Sequence, residues 1–183
     1  MRNCTIAILF VSVCLVSCSN ESSNLPTPTF NPDVEIAEGV EIISSDSAKL
    51  KYIIKAPRLE TYYENDILVK RFPKGLRIEL YDELQELSST MSAKYAESRS
   101  SLGTLLLSDS VILTNAEHDE LTTIGILWNE TKQTLTTDKF VRLVKASSHD
   151  TLYGYGLEAK DDFSRMKIKD FAGKRRSESN DTP

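Results

Sequence analysis

Few residues of this chain are arranged for covalent chemistry. Glu158, Asp161 and Asp162 are carboxylates gathered near a strand pattern, and a glycosidase needs two carboxyls roughly 5–9 Å apart across a sugar. Acids clustered around a strand end are more often a solvated loop. His118 stands beside Asp119-Glu120 and His149 beside Asp150, both in turn-like surroundings. Two histidines without a matching third ligand make a poor metal site. Serines are plentiful, yet no G-x-S-x-G elbow presents one as a nucleophile. Gly154-Tyr155-Gly156 begins like a dinucleotide fingerprint but lacks the third glycine and a following helix, and there is no G-x-x-x-x-G-K-[ST] phosphate loop. Those glycines read better as relief where a strand bends or another backbone approaches. The expectation is no enzyme, no cofactor and no metal, with any ATP use left to a partner.

The cysteines point elsewhere. Cys4, Cys14 and Cys18 all lie near the N-terminus, where Arg2 is followed by an uncharged run from Cys4 to Leu15. That run has the length of a signal-peptide apolar core and is too short to span a bilayer comfortably. Leu15-Val16-Ser17-Cys18 resembles the lipobox of bacterial lipoproteins, which implies cleavage before Cys18 and acylation of its thiol. A plain secretion signal or a short anchor is the other reading. Residues 1–17 are thus expected to be a signal peptide and Cys18 a lipidation site, leaving no thiol for a disulfide framework or a thiolate centre. The formal net charge is -5. Removal of Arg2 without any acid takes it to about -6, and an acidic domain of this kind lacks the basic face that nucleic acid requires.

The elements that must position any site are short strands. Residues 18–32 are mostly Ser, Asn, Thr and Pro with one acid, Glu21, and read as the lipidated cysteine followed by a flexible linker. At about 3.1 Å per residue such a linker reaches roughly 40 Å when extended. Residues 174–183 are polar and charged throughout and read as a disordered tail. Between them, 33–173 has the size of one domain. Strands are expected at 49–55, ended by Pro57, and at 76–81, 91–96, 104–107, 111–114, 121–128, 134–136, 140–145, 151–157 and 165–170, punctuated by Pro73-Lys74-Gly75 and other turn signals. No dozen-residue window outside the leader sustains a helical period. The pattern predicts an all-β protein, either a sandwich or an open, roll-like antiparallel sheet.

Several strands carry one apolar and one polar side. Leu76, Ile78 and Leu80 alternate with Arg77, Glu79 and Tyr81. Ile124, Ile126 and Trp128 form a second row, Val141 and Leu143 a third, and Tyr153, Tyr155 and Leu157 a fourth. Ile53, Ala93, Tyr95, Val111 and Leu113 complete the expected inward set. Such rows can fill an ordinary core or line a trough for acyl chains, and alternation alone favours the core. The last strand, Arg165, Met166, Lys167, Ile168, Lys169 and Asp170, is expected to be an exposed edge. It is either a template for a neighbour's strand or one whose Lys167 and Lys169 guard against aggregation.

Four blocks in order resemble the LptC family, in its Bacteroidetes-type lipoprotein form. They are Phe72–Asp82 with Ser92–Ala96; Val111–Asn115 with Glu120–Thr123 and Leu127–Asn129; Thr136–Leu143; and Gly154–Ala159 with Asp162–Ser164 and Ile168. The resemblance covers about Val40 to Gly173. One departure is Asp109-Ser110, where the family usually has glycine before the Val111 strand.

The resemblance implies an open antiparallel β-jellyroll, a twisted roll whose apolar groove accepts lipopolysaccharide. It implies a periplasmic protein, lipid-anchored to the inner membrane, that takes lipopolysaccharide from an ABC transporter's permeases, served by their ATPase, and passes it to a periplasmic bridge protein of the same fold. The rival reading is a cell-surface β-sandwich lipoprotein that binds glycan or protein through an aromatic platform of Trp128, Tyr62, Tyr63 and Tyr95. Burial of those aromatics separates the two.

Overall fold

The computed structural model describes residues 33–99 and 103–176. The expected signal peptide, Cys18, the linker to Pro32 and the tail beyond Arg176 lie outside the described residues. The chain divides into Met1–Asn31 and Pro32–Pro183, and the fold concerns the second unit. Among the described residues there are eleven strands: β1 (Val34–Asp46), β2 (Lys49–Glu64), β3 (Ile67–Phe72), β4 (Leu76–Tyr81), β5 (Leu87–Ala93), β6 (Tyr95–Arg99), β7 (Thr104–Asn115), β8 (Glu120–Asn129), β9 (Thr134–Val144), β10 (Asp150–Lys160) and β11 (Met166–Arg176).

All eleven join one antiparallel sheet. Its order is β1-β2, then the short strands β3 to β6, then β7-β8-β9-β10-β11. The long strands β2 and β7 each serve two short partners along one side, besides β1 and β8 respectively. β2 pairs with β4 over Tyr52–Lys55 and with β3 over Glu60–Glu64. β7 pairs with β6 over Thr104–Ser108 and with β5 over Ile112–Asn115. The sheet thereby rolls around a single apolar interior that includes Ile54, Ile78, Met91, Leu107, Leu113, Leu121, Leu143 and Leu157. β1 and β11 each have one neighbour and form the two edges.

The roll is possible because the long strands bend. β7 bends at Asp109 and Ser110, both left-handed (φ 59° and 53°), and Lys94 N–H donates to Asp109 O at 2.9 Å. A bulge of this kind favours glycine, with aspartate among the next best tolerated residues. The departure from glycine therefore keeps the bend. Register also shifts between Thr123 and Leu127 in β8 and at Gly156 (φ 71°) in β10. Gly75 turns β3 into β4 at φ 79°, where a Cβ would lie 2.5 Å from Ala93 O.

Several boundaries differ from those expected. Pro57 does not end β2. It sits where the ladder skips past Gly39, after β4 pairing stops and before β3 pairing begins, so no ladder bond needs its missing N–H. β1 and β3 were not anticipated. The expected strand over 91–96 is broken at Lys94 into β5 and β6, whereas 104–107 with 111–114, and 134–136 with 140–145, are single bent strands. β11 takes in the first three residues of the expected tail, 174–176.

Candidate functional site

Among the described residues, an apolar and a polar cavity open on the interior. An apolar slot of about 220 Å³ is walled by Ile42 of β1, Tyr52 and Ile54 of β2, Leu68 and Phe72 of β3, Leu105 of β7 and Trp128 of β8, with Lys70, Ser98 and Glu130 among its polar lining. A polar cleft of about 570 Å³ lies among the β4–β5, β8–β9 and β10–β11 turns and includes Lys51, Glu83, Lys160, Asp161 and Arg165. The slot exists because Tyr52, Ile54 and Ala56 alternate inward on β2 while Lys55 faces out, the period-2 rule of a strand with one wet face.

Asp161 lines the polar cleft behind Trp128. It is buried, and Trp128 Nε1–H donates to its Oδ2 at 3.2 Å. Burial pushes its carboxyl above the ordinary value of 3.8, and the Trp128 hydrogen bond works against that. Ser89 Oγ–H donates to the Asp161 carbonyl at 2.8 Å, and Asp161 N–H donates to Gln133 O at 3.2 Å. One residue thus ties the β10–β11 turn to β5 and β8. Across the interior the Tyr52 and Trp128 rings meet edge to face, with centroids 5.2 Å apart. Burial, then Glu130, push the Tyr52 hydroxyl up to about 12, with Ser44 opposing.

A second buried acid, Asp119, ties the β7–β8 turn to the β9–β10 turn. Lys145 Nζ and Ala146 N–H both donate to its carboxylate, and its own N–H donates to Asn115 Oδ1 at 2.8 Å. Burial alone would raise its pKa. The Lys145 and Ala146 hydrogen bonds outweigh that and hold it below 3.8.

Of the residues expected to line a groove, Leu76, Ile78, Ala93, Val111, Leu113, Ile126, Val141, Leu143 and Leu157 are buried in the packed interior, while Leu80 and Trp128 reach the cavities. Five positions are corrected. Ile53 pairs laterally with Ile43 on the outer face, because its neighbour Ile54 points inward. Tyr95 faces out and donates to Glu97 Oε2 at 2.9 Å, since the break at Lys94 puts Ala96 inside instead. Ile124 is 68% exposed because the β8 bulge advances the inward row from Leu121 and Thr123 to Ile126 and Trp128. Tyr153 and Tyr155 lie outside, both against Phe140, because Gly156 shifts the phase before Leu157.

Arg165 precedes β11 in the turn, and Met166 and Ile168 lean on the interior while Lys167, Lys169 and Asp170 are exposed. The slot residues Ile42, Tyr52, Leu68, Phe72 and Leu105 were not singled out from sequence. The inward partners Tyr52 and Ile54 were detectable only by asking which phase kept both Lys51 and Lys55 wet.

The alternative chemistries do not assemble. Glu158 is ion-paired to Lys169 at 2.8 Å on the exposed face, whereas Asp161 points into the interior. His118 and His149 are left-handed turn residues, and no group of three potential ligands is placed to hold a metal among the described residues. Trp128 is buried while Tyr63 is exposed, so the four aromatics suggested for a glycan platform do not share a surface.

A family model described as "Lipopolysaccharide-assembly, LptC-related" matches residues 4–171. No curated protein matches the chain.

Proposed function

The chain belongs to the LptC family of lipopolysaccharide assembly, and from that premise we propose that its apolar slot receives lipopolysaccharide acyl chains in transit. The family is a periplasmic, inner-membrane-associated transport component and not an enzyme, so the chain has a role in lipopolysaccharide transport, with lipopolysaccharide and a transporter complex as partners. The observation that carries the finer reading is the slot between β1–β3 and β7–β8, walled by Ile42, Ile54, Phe72, Leu105 and Trp128. Each methylene moved from water into such a wall is worth about 0.8 kcal/mol, so a chain of a dozen contributes on the order of 10 kcal/mol before entropy is charged. The scattered cations and abundant acids of the cleft offer phosphates nothing comparable.

In this proposal Cys18 is acylated and tethers the domain to the inner membrane through residues 19–32. The permease pair of an ATP-driven transporter docks at one edge of the sheet. The edge strand β11 captures a periplasmic bridge protein of the same fold by strand addition. The test is photo-crosslinking in cells from Phe72 and Ile54, with the outward residues Ile53 and Tyr155 as controls. Lipopolysaccharide adducts from the inward pair alone are expected. Adducts only from the outward controls would reject the reading.

A further inference from the structure

The apolar slot and the polar cleft share three lining residues, Tyr52, Trp128 and Glu130. Whatever separates the two spaces is therefore built from these side chains. Tyr52 comes from β2 and Trp128 from β8, strands that are not neighbours in the sheet. The two strands meet here through the Tyr52 and Trp128 rings, so the walls can part at this point without breaking a backbone ladder between them. Trp128 is held from behind by Asp161, itself fixed by Ser89 and Gln133. Tyr52 is held in front by the Trp128 ring edge, with Ser44 and Glu130 beside its hydroxyl.

The slot alone, at about 220 Å³, is smaller than the roughly 300–1,000 Å³ of sites that bury an organic ligand of moderate size. A lipid with several acyl chains is larger still. It must gain room, and the adjoining room is the cleft behind Tyr52 and Trp128. The geometry points to Tyr52 and Trp128 as a removable partition: it closes the empty slot, swings aside to join slot and cleft when acyl chains enter, and is positioned in its closed arrangement by Asp161. This rests on the lipid-binding reading of the slot. In the joined space the chains lie along Ile54, Phe72 and Leu105 and extend past Trp128 toward Leu80 in the cleft, and the phosphates of the lipid stay in bulk water.

Trp128 is the single tryptophan of the chain, so its emission reports the partition directly. The experiment titrates the purified full chain with deep-rough lipopolysaccharide while following Trp128 emission and acrylamide quenching. In parallel, adducts are scored from a photoreactive phenylalanine analogue at Phe72. Emission and quenching are expected to change over the same lipid concentrations that give the Phe72 adduct. Asp161→Ala, which frees Trp128, should shift the lipid-free emission toward the lipid-bound value and lower the half-saturating concentration several-fold, because a closed-state penalty is removed. Phe72 adducts with unchanged Trp128 emission would overturn the partition and leave lipid binding standing. No Phe72 adduct at any concentration would overturn the lipid reading, and the partition with it. Should Asp161→Ala fail to fold, the wild-type titration still decides between these outcomes.

Discussion

Replacing Gly154 with alanine should loosen one edge of the sheet and leave the rest nearly intact. A Cβ at this position would stand 2.4 Å from Asp170 O, 2.7 Å from Ile168 Cγ2 and 3.0 Å from Phe171 Cα. Two of those three atoms are backbone of β11, so the strand itself must retreat from β10. Overpacking of this kind costs about 1–3 kcal/mol, which for a domain near this size lowers Tm by roughly 2–10 °C. Gly125 supplies the control within the same sheet, because its added Cβ would meet only Leu107 O at 3.7 Å, an ordinary contact. Gly125→Ala should stay within about 0.5 kcal/mol of the parent. Thermal unfolding measures the global cost, and amide hydrogen exchange shows where it falls. Protection should drop across Met166–Phe171 while the β7–β8 amides keep theirs. Equal Tm values for the two variants, or protection lost evenly along the sheet, would refute the argument that β11 closes directly over Gly154.

Other outcomes follow from the same contacts. Asp119→Asn should destabilise by about 1–3 kcal/mol at neutral pH, because a buried acceptor of Lys145 and Ala146 is weakened. Since the folded carboxyl is held below 3.8, that contribution is complete above the ordinary value and lost as pH falls through the lowered one. The gap between parent and variant in denaturant titrations should therefore narrow in strong acid. Asp161 has the opposite sign: its folded pKa is raised, so stability falls as pH rises from the ordinary 3.8 through the raised value, and the full cost stands above it. Asp161→Asn, which keeps an acceptor for Trp128, should be more stable than the parent at pH 7, with the advantage vanishing below 3.8, again by denaturant titration. Ile168→Pro in β11 should abolish capture of a bridge-type partner in a pull-down while membrane fractionation stays unchanged; undiminished capture would reject β11 as the docking edge.

How far the sequence could be read depended on where alternation kept its phase. Leu76–Tyr81 is a clean two-residue repeat, and the structure buries Leu76, Ile78 and Leu80 as that repeat predicts. Tyr153, Tyr155 and Leu157 look equally regular, yet Gly156 inserts one residue and throws the tyrosines outside. The same slip at Ile124 and Gly125 separates Ile124 from Ile126. Period-2 reasoning assumes an unbroken pleat, and a bulge inverts every face beyond it. β1 escaped notice because Glu35, Glu38 and Glu41 mask a strand of low burial whose pairing with β2 is what stabilises it. The slot was illegible for a further reason. Tyr52 and Trp128 meet only after the sheet has rolled, and nothing local to either residue records the other.

The double duty of β7 also bears on the speed and order of folding. β7 to β11 form an unbroken meander in which each strand pairs with the next in sequence, so its contacts close over short loops and can be made early. β5 and β6, by contrast, are adjacent in the chain but separate onto different halves of β7, and β4 must reach back to β2. Those steps bear the entropy of longer loops and belong to the slow, millisecond-to-second regime of non-local β topologies. A full-length chain folding from the unfolded state would therefore hold a finished C-terminal ribbon with an apolar face still bare, and its exposure to aggregation ends only when the N-terminal strands wrap over it.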